Sequence, residues 1–207
     1  MRRAAGRVGL GLLSFIAFLG WSPRAACAPK GERPIVAVMP FAYNADQAEY
    51  AGTEKGLEEA LEADLVKTKK FRMIERGRLG VLLQEAGLQQ TGAVSPENAV
   101  QIGKQLGAQA YVLGSVTSVS VRDEWRSVKF AEKTTRFVEI AAEAKLVSVE
   151  TGEILASGSA VGKSKTAEKH AFGGKVGDLA SVKSMTQKAS QALSKRLAKD
   201  LVKTYLK

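Results

Sequence analysis

Four places in this chain of 207 residues carry side chains whose type and spacing could do chemistry. The first is GSAVGKS, Gly158 to Ser164. A glycine-rich turn followed by Lys and Ser can cradle phosphates, because bare backbone N–H groups approach the oxygens while the lysine reaches the outer ones. The spacing does not fit that use: the pattern calls for glycine at 157, where Ser157 stands, and Gly158 leaves only three residues before Gly162. The segment also reads as a hairpin strand and not as the opening of a helix, so its glycines are expected to ease close packing. The second is His170, the single histidine, in the polar, glycine-rich TAEKHAFGGKVG. A metal site needs several convergent ligands and a triad needs a base beside a nucleophile. One histidine supports neither, and a surface loop is expected for it. The third is the acidic group Glu58, Glu59 and Glu62, expected on the solvated side of a helix. Carboxylates that act in pairs meet only in space, so a hydrolase assembled from distant acids stays open as an alternative. Cys27, the single cysteine, is the fourth.

Cys27 stands in FLGWSPRAACAPKGERP, directly behind an apolar run. Arg2, Arg3 and Arg7 form a positive n-region, Val8 to Trp21 an apolar stretch of about fourteen residues, and Ala25 and Ala26 the small residues before a cut, which is the anatomy of an export signal. A spanning helix would need about twenty apolar residues. Cutting after Ala28 would put Pro29 first, which is unfavourable, whereas cutting before Cys27 exposes a thiol that could take up diacylglycerol. The arrangement resembles the bacterial lipobox, with Arg24 where that pattern usually has Leu. The expectation is a signal peptide over 1–26, lipidation of Cys27, a short spacer over 27–33, and a domain over 34–207. A non-lipidated periplasmic product is the alternative. A lone cysteine allows no internal disulfide, so burial alone must hold the fold.

With residues 1–26 removed, four arginines and no acids go, and the formal charge of +10 falls to +6. The remaining basicity comes from Lys67, Lys69, Lys70 and the C-terminal lysines, and Trp125-Arg126 is the sole adjacent tryptophan–arginine pair. A nucleic-acid interface needs such readers gathered on one face. No nucleic-acid partner, nucleotide, metal or cofactor is expected.

The elements that must position these residues follow from periodicity. IVAVMPF, Ile35 to Phe41, is an apolar run that fits a strand covered on both faces. Leu57, Leu61 and Leu65 make Thr53 to Lys67 an amphipathic helix, with Thr53 as N-cap. FRMIE, Phe71 to Glu75, is a second strand, and the crossover between the two favours a parallel pair. A helix over Arg78 to Ala86 follows, then one opened by Ser95 and Pro96. Extended segments at Ala110 to Val121 and Phe137 to Val149, a turn at Glu150 to Glu153, and a return strand at Ile154 to Ser164 complete about five strands. A long helix over Val182 to Tyr205 closes the chain, with Met185, Ala189, Leu193, Leu197, Leu201 and Tyr205 on one face. The fold class is α/β: a mixed sheet flanked by helices, with a long C-terminal helix. Arg122 to Arg136 and Lys163 to Ser181 read as polar loops.

The ordered set Val36 to Phe41, Ile74-Glu75-Arg76, Leu79 to Leu88, Ile102 to Thr117 and Thr151 to Ser159 resembles the CsgG family of curli-production outer-membrane lipoproteins. What that resemblance implies is a domain like the TolB N-terminal domain and the CsgG periplasmic domain, without catalysis, acting by assembly and docking at the periplasmic side of the outer membrane. It implies envelope protein partners, attachment through a lipid anchor, and room for a homo-oligomer. Glu75-Arg76 is expected to tie a strand end to the next helix. A pore-forming, curli-type secretion channel subunit is the alternative within the family. It needs membrane hairpins of about ten residues per strand with an apolar lipid face, and neither polar loop supplies one. The loops are therefore expected to contact an envelope partner. Outside the family, the alternative is the periplasmic hydrolase with spatially assembled carboxylates.

Overall fold

Each of the two apolar patterns finds its own side of one sheet. In the computed structural model, residues 33–88, 94–128, 131–171 and 174–206 are described. The expected signal peptide, Cys27 and nearly all of the expected spacer lie outside them. The strands are β1 (Ile35–Val38), β2 (Ala42–Tyr43), β3 (Arg72–Met73), β4 (Ala110–Val128), β5 (Ala131–Ser148), β6 (Ile154–Ala171) and β7 (Gly174–Val176). The helices are α1 (Thr53–Thr68), α2 (Arg76–Glu85), α3 (Pro96–Leu106) and α4 (Val182–Tyr205). The described strands form a mixed sheet ordered β3-β1-β4-β5-β6-β7, with β2 added to the edge of β4. β1 pairs in parallel with β3 and β4, and the β4-β5-β6-β7 half is antiparallel.

One face is covered by α1 and α4. Leu57, Leu61 and Leu65 of α1 meet Leu193, Leu197 and Leu201 of α4 over Val112, Val116, Val138 and Ile140. The other face is covered by α2 and α3, where Leu79, Leu83, Ile102 and Leu106 close over Ala37, Met39, Tyr111 and Val147. The alternation along β1 shows the division: Val36 and Val38 belong to the first layer, Ala37 and Met39 to the second.

Several expectations shift at the ends. The first strand divides at Pro40, which has no N–H to give a ladder, into β1 and β2. The N-cap of α1 is Gly52, with φ 101°, and not Thr53, whose hydroxyl donates to the Tyr50 carbonyl at 2.6 Å. Ser95 caps α3 as expected, accepting from the Asn98 N–H, with Pro96 at the first position and Gly107 in the left-handed C-cap. The larger correction concerns the two polar loops. Most of the described residues in both are strand: β4 runs to Val128, β5 starts at Ala131, and β6 runs to Ala171 before β7, while Gly177 to Ser181 lead without strand into α4. The described sheet therefore has seven strands instead of about five. The reading of these segments assumed one covered face, and an apolar stripe is absent wherever both faces meet water.

Candidate interaction surface

Strands of 19, 18 and 18 residues span about 60 Å each at roughly 3.3 Å per residue, far longer than the helices that pack on them. β2 leaves β4 at Val116, and the ends of β4, β5 and β6 continue as an antiparallel arm. Its register is continuous from Ser118 opposite Ala141 to Val128 opposite Ala131.

On the side shared with α4, the arm is tied at its base. Arg136 donates from Nε and Nη2 to the two carboxylate oxygens of Asp123 at 2.8 and 2.6 Å, and from Nη1 to the Ala180 carbonyl. This forked pair holds the Asp123 carboxyl below the usual range. The Thr166 hydroxyl donates to the Asp178 carbonyl, fastening the approach to α4. Further out lie Trp125, Thr134 and Glu168 in one row, with Trp125 64% exposed. Lys175 bridges Glu168 and Asp178 at 3.3 and 2.8 Å, which lowers Asp178 and raises Lys175.

The opposite face carries Arg122, Phe137 and Lys165 in one row and Arg126, Lys133 and Lys169 in another. Phe137 is held between Arg122 and Lys165, whose charged groups lie 5.0 and 5.1 Å from the ring centroid. Trp125 and Arg126, adjacent in sequence, project from opposite faces, so they cannot form one aromatic–cationic reader. Charged residues stand on both faces, Asp123, Arg136 and Glu168 on one and Arg122, Lys133 and Lys169 on the other. Neither face is the apolar band that a membrane-spanning hairpin presents to lipid.

His170 lies on β6 and not in a loop, with Nε2 3.5 Å from the Glu168 carboxylate. Among the described residues no group of three or more His, Cys, Asp or Glu could hold a metal ion. The glycines of GSAVGKS lie in β6 under α4. A Cβ on Gly158 would stand 3.1 Å from Asp200 Cβ, and one on Gly162 would meet the Ala189 carbonyl. They are packing glycines.

The Glu75-Arg76 pair joins elements in a way the sequence only partly shows. Glu75 caps α2, accepting the Gly77 and Arg78 N–H groups at 2.8 and 2.9 Å, and these bonds lower its pKa. Arg76 reaches across to Glu58 of α1. Glu58 is 2% exposed, contrary to the expectation of a solvated acid, and also accepts the Phe41 N–H at 2.7 Å. Burial pushes its carboxyl up despite these two partners. Glu58 thus closes the bend after Pro40 while Arg76 links α1 to α2. Glu59, by contrast, is exposed, and Glu62 is half-buried. The signal that could have singled out Glu58 is its position beside Leu57 and Leu61, one residue off the buried stripe.

No helix of the described residues is long and apolar enough to cross a membrane. No curated protein sequence matches the chain. Among solved structures, a neuraminyllactose-binding hemagglutinin homolog from Helicobacter pylori is similar over 84% of this chain and 89% of its own, at 13% identity and a TM-score of 0.53, a likeness of fold. Lipoprotein GNA1162 from Neisseria meningitidis matches at 17% identity over 64% of this chain and 83% of its own, with a TM-score of 0.48. The LpoB C-terminal domain from Salmonella enterica matches at 22% over 62% and 82%, with a TM-score of 0.45. The model of the family described as curli production assembly/transport component CsgG matches residues 22–205, and on that match the protein belongs to the CsgG family and is an accessory component of the cell envelope.

Proposed function

We propose that this chain is a non-enzymatic assembly or accessory component of an envelope secretion or cell-wall machine, carried at the periplasmic side of the outer membrane by a lipid on Cys27. It meets its protein partners, a second copy of itself among them, through the β4-β5-β6 arm. The observation that carries this reading is the arm itself. About a third of each long strand lies outside the two core clusters and presents charge on both faces, and the Asp123-Arg136 fork ties β4 to β5 at its base. Such an element is stable through its backbone ladder and leaves its side chains for contacts outside the domain.

The arrangement of charge weighs against the pore-forming channel subunit. Placing Arg or Lys on a lipid face costs about 2–4 kcal/mol each at the bilayer midplane; one face of the arm would submerge Arg122, Arg126, Lys133, Lys165 and Lys169, and the other Arg136 together with the acids Asp123 and Glu168. The hydrolase alternative finds no support in the acids near α1: Glu58 is spent on Phe41 and Arg76.

The test is metabolic labelling with a fatty-acid analogue on the wild type and on Cys27→Ala, followed by outer-membrane fractionation and planar-bilayer recording. Label and membrane association should both be lost in the variant, and neither protein should conduct. Label that ignores the substitution would refute the anchor; stepwise conductance would revive the channel.

A further inference from the structure

The arm's face opposite α4 holds cations that its own acids do not balance. Register places Arg126 directly opposite Lys133, and Lys133 directly opposite Lys169, three cations side by side on neighbouring strands. Like charges in directly opposed positions destabilise a sheet, so the fold itself gives no reason for this row. Two acids share the face further in, and each is already divided between two cations. Glu139 lies 3.8 Å from Arg122 and 3.3 Å from Lys163, and Glu124 lies 3.9 Å from Arg122 and 3.8 Å from Arg126. Lys133 and Lys169 meet no acid among the described residues, and Lys165 is set over Phe137. From the Ser120-Glu139-Lys163 row outward, the face therefore has Arg122, Arg126, Lys133, Lys163, Lys165 and Lys169 against Glu124 and Glu139. At the edge of the outer row, beside Lys169, stands Val176, 68% exposed.

We propose that this face docks on the phosphates of lipid headgroups at an anionic bilayer surface. The inference deepens the reading of the arm as the contact element and rests on it. The distribution of charge chooses the occupant. A single polyanionic strand is followed by a line of cations along a groove with aromatic stacking platforms. Here the cations spread in two dimensions over three neighbouring strands, and the one aromatic ring on that face is taken up by Arg122 and Lys165. A surface of phosphates matches cations spread in this way. Anionic headgroups in contact also remove the repulsion within the Arg126-Lys133-Lys169 row, which water only screens. Val176 adds an apolar contact at the same level.

The experiment uses the full chain carrying Cys27→Ala, so that no acyl group contributes, sedimented with vesicles of phosphatidylcholine alone or with added phosphatidylglycerol. Binding should be at least about tenfold tighter to the anionic vesicles and should fall steeply as salt is raised, as surface-charge attraction does. Lys133→Glu/Lys169→Glu should lose about tenfold or more. Lys188→Glu/Lys195→Glu, exposed on α4 and equal in charge change, should bind like the parent. The arm variant turns the Arg126-Lys133 contact from repulsive to attractive and keeps one like-charge pair, now acidic, between positions 133 and 169, so it should melt no lower than the parent. If the acids nevertheless disturb the strands, Lys133→Thr, which suits a strand, should still lose about threefold. Equal binding to the two kinds of vesicle would overturn the proposal, as would equal loss in the α4 variant, or tighter capture by a single-stranded oligonucleotide of the same phosphate content. Because the anchor is absent throughout, failure here leaves the fatty-acid labelling of Cys27 intact, and failure of that labelling leaves this result intact.

Discussion

Replacing Gly162 by alanine puts one methyl group where β6 and α4 meet, and the structure says what it strikes. The new Cβ would run into the carbonyl oxygen of Ala189 and stand 2.7 Å from Leu193 Cβ. Ala189 and Leu193 are both fully buried, and the obstructing oxygen belongs to a helix ladder, so no side-chain rotation relieves the contact. Either α4 lifts from the sheet or β6 drops. Overpacking of a filled core costs about 1–3 kcal/mol, and backbone as the obstacle puts this case at the upper end. Alanine recovers about 0.5–1 kcal/mol over glycine within a strand. The net expectation is a loss of about 2 kcal/mol, which for a domain of this size lowers Tm by roughly 4–8 °C. Gly158→Ala is the matched control: its Cβ would meet Asp200 Cβ at 3.1 Å and Leu197 Cδ2 at 4.0 Å, a tight contact that a small shift relieves, where the clash at Gly162 is with backbone and far closer. Its change should stay within about 1 kcal/mol. Urea denaturation followed by circular dichroism measures both. If Gly162→Ala falls within about 0.5 kcal/mol of the wild type, or Gly158→Ala is the costlier, the account of GSAVGKS as packing glycines is wrong.

Glu58 gives a pH-dependent outcome. Burial raises its folded pKa above the unfolded value near 4.5, so the fold takes up a proton more readily than the unfolded chain, and this group's contribution to stability grows as pH falls through the raised value. Glu58→Gln cannot take up that proton. The wild type should therefore gain on the variant as pH falls towards about 4.5 in paired urea titrations, and parallel profiles would count against the burial argument. Ser194, fully buried, donates to the Asp64 carboxylate at 2.6 Å, which also holds Lys67 at 2.8 Å. Ser194→Ala leaves that buried acid short of a donor and should cost about 1–3 kcal/mol. A double variant with Asp64→Asn should cost less than the sum of the two single changes; strict additivity would show that the bond across α1 and α4 carries no energy.

The helix-covered half of the molecule was legible because burial writes a period into the sequence. Leu57, Leu61 and Leu65 and the stripe from Met185 to Leu201 led directly to α1 and α4, and the alternation from Val138 to Leu146 to the covered part of β5. The arm was not legible. From Arg122 to Ser127 and from Ala131 to Arg136 nearly every residue is polar and Thr135 alone among them is buried, so no apolar alternation exists to be read. What remained was weak: Lys163, Lys165 and Lys169, an even number of positions apart, and strand-forming Thr134, Thr135 and Phe137. Glu58 was missed for another reason. Its partners, the Phe41 N–H and Arg76, lie 17 and 18 residues away in sequence, and only the bend after Pro40 brings them to it. Cys27, on which the membrane attachment depends, lies outside the described residues and stays an expectation of the sequence.

The two halves of this sheet answer to different constraints, and that difference bears on function. Where helices cover the sheet, on both faces of β1 and the first part of β4 and over β6 beneath α4, the buried side chains are fixed by their neighbours, and a change such as Gly162→Ala costs stability. In the arm, the ladder between β4, β5 and β6 holds the strands whatever most side chains are, so residue choice there is released from the core. A sheet chosen only for stability would not set Arg126, Lys133 and Lys169 abreast. That it does so in the one region where side chains are free points to selection by something outside the chain, and substitutions on this face should separate the two quantities, lowering binding while leaving the melting temperature unchanged or higher.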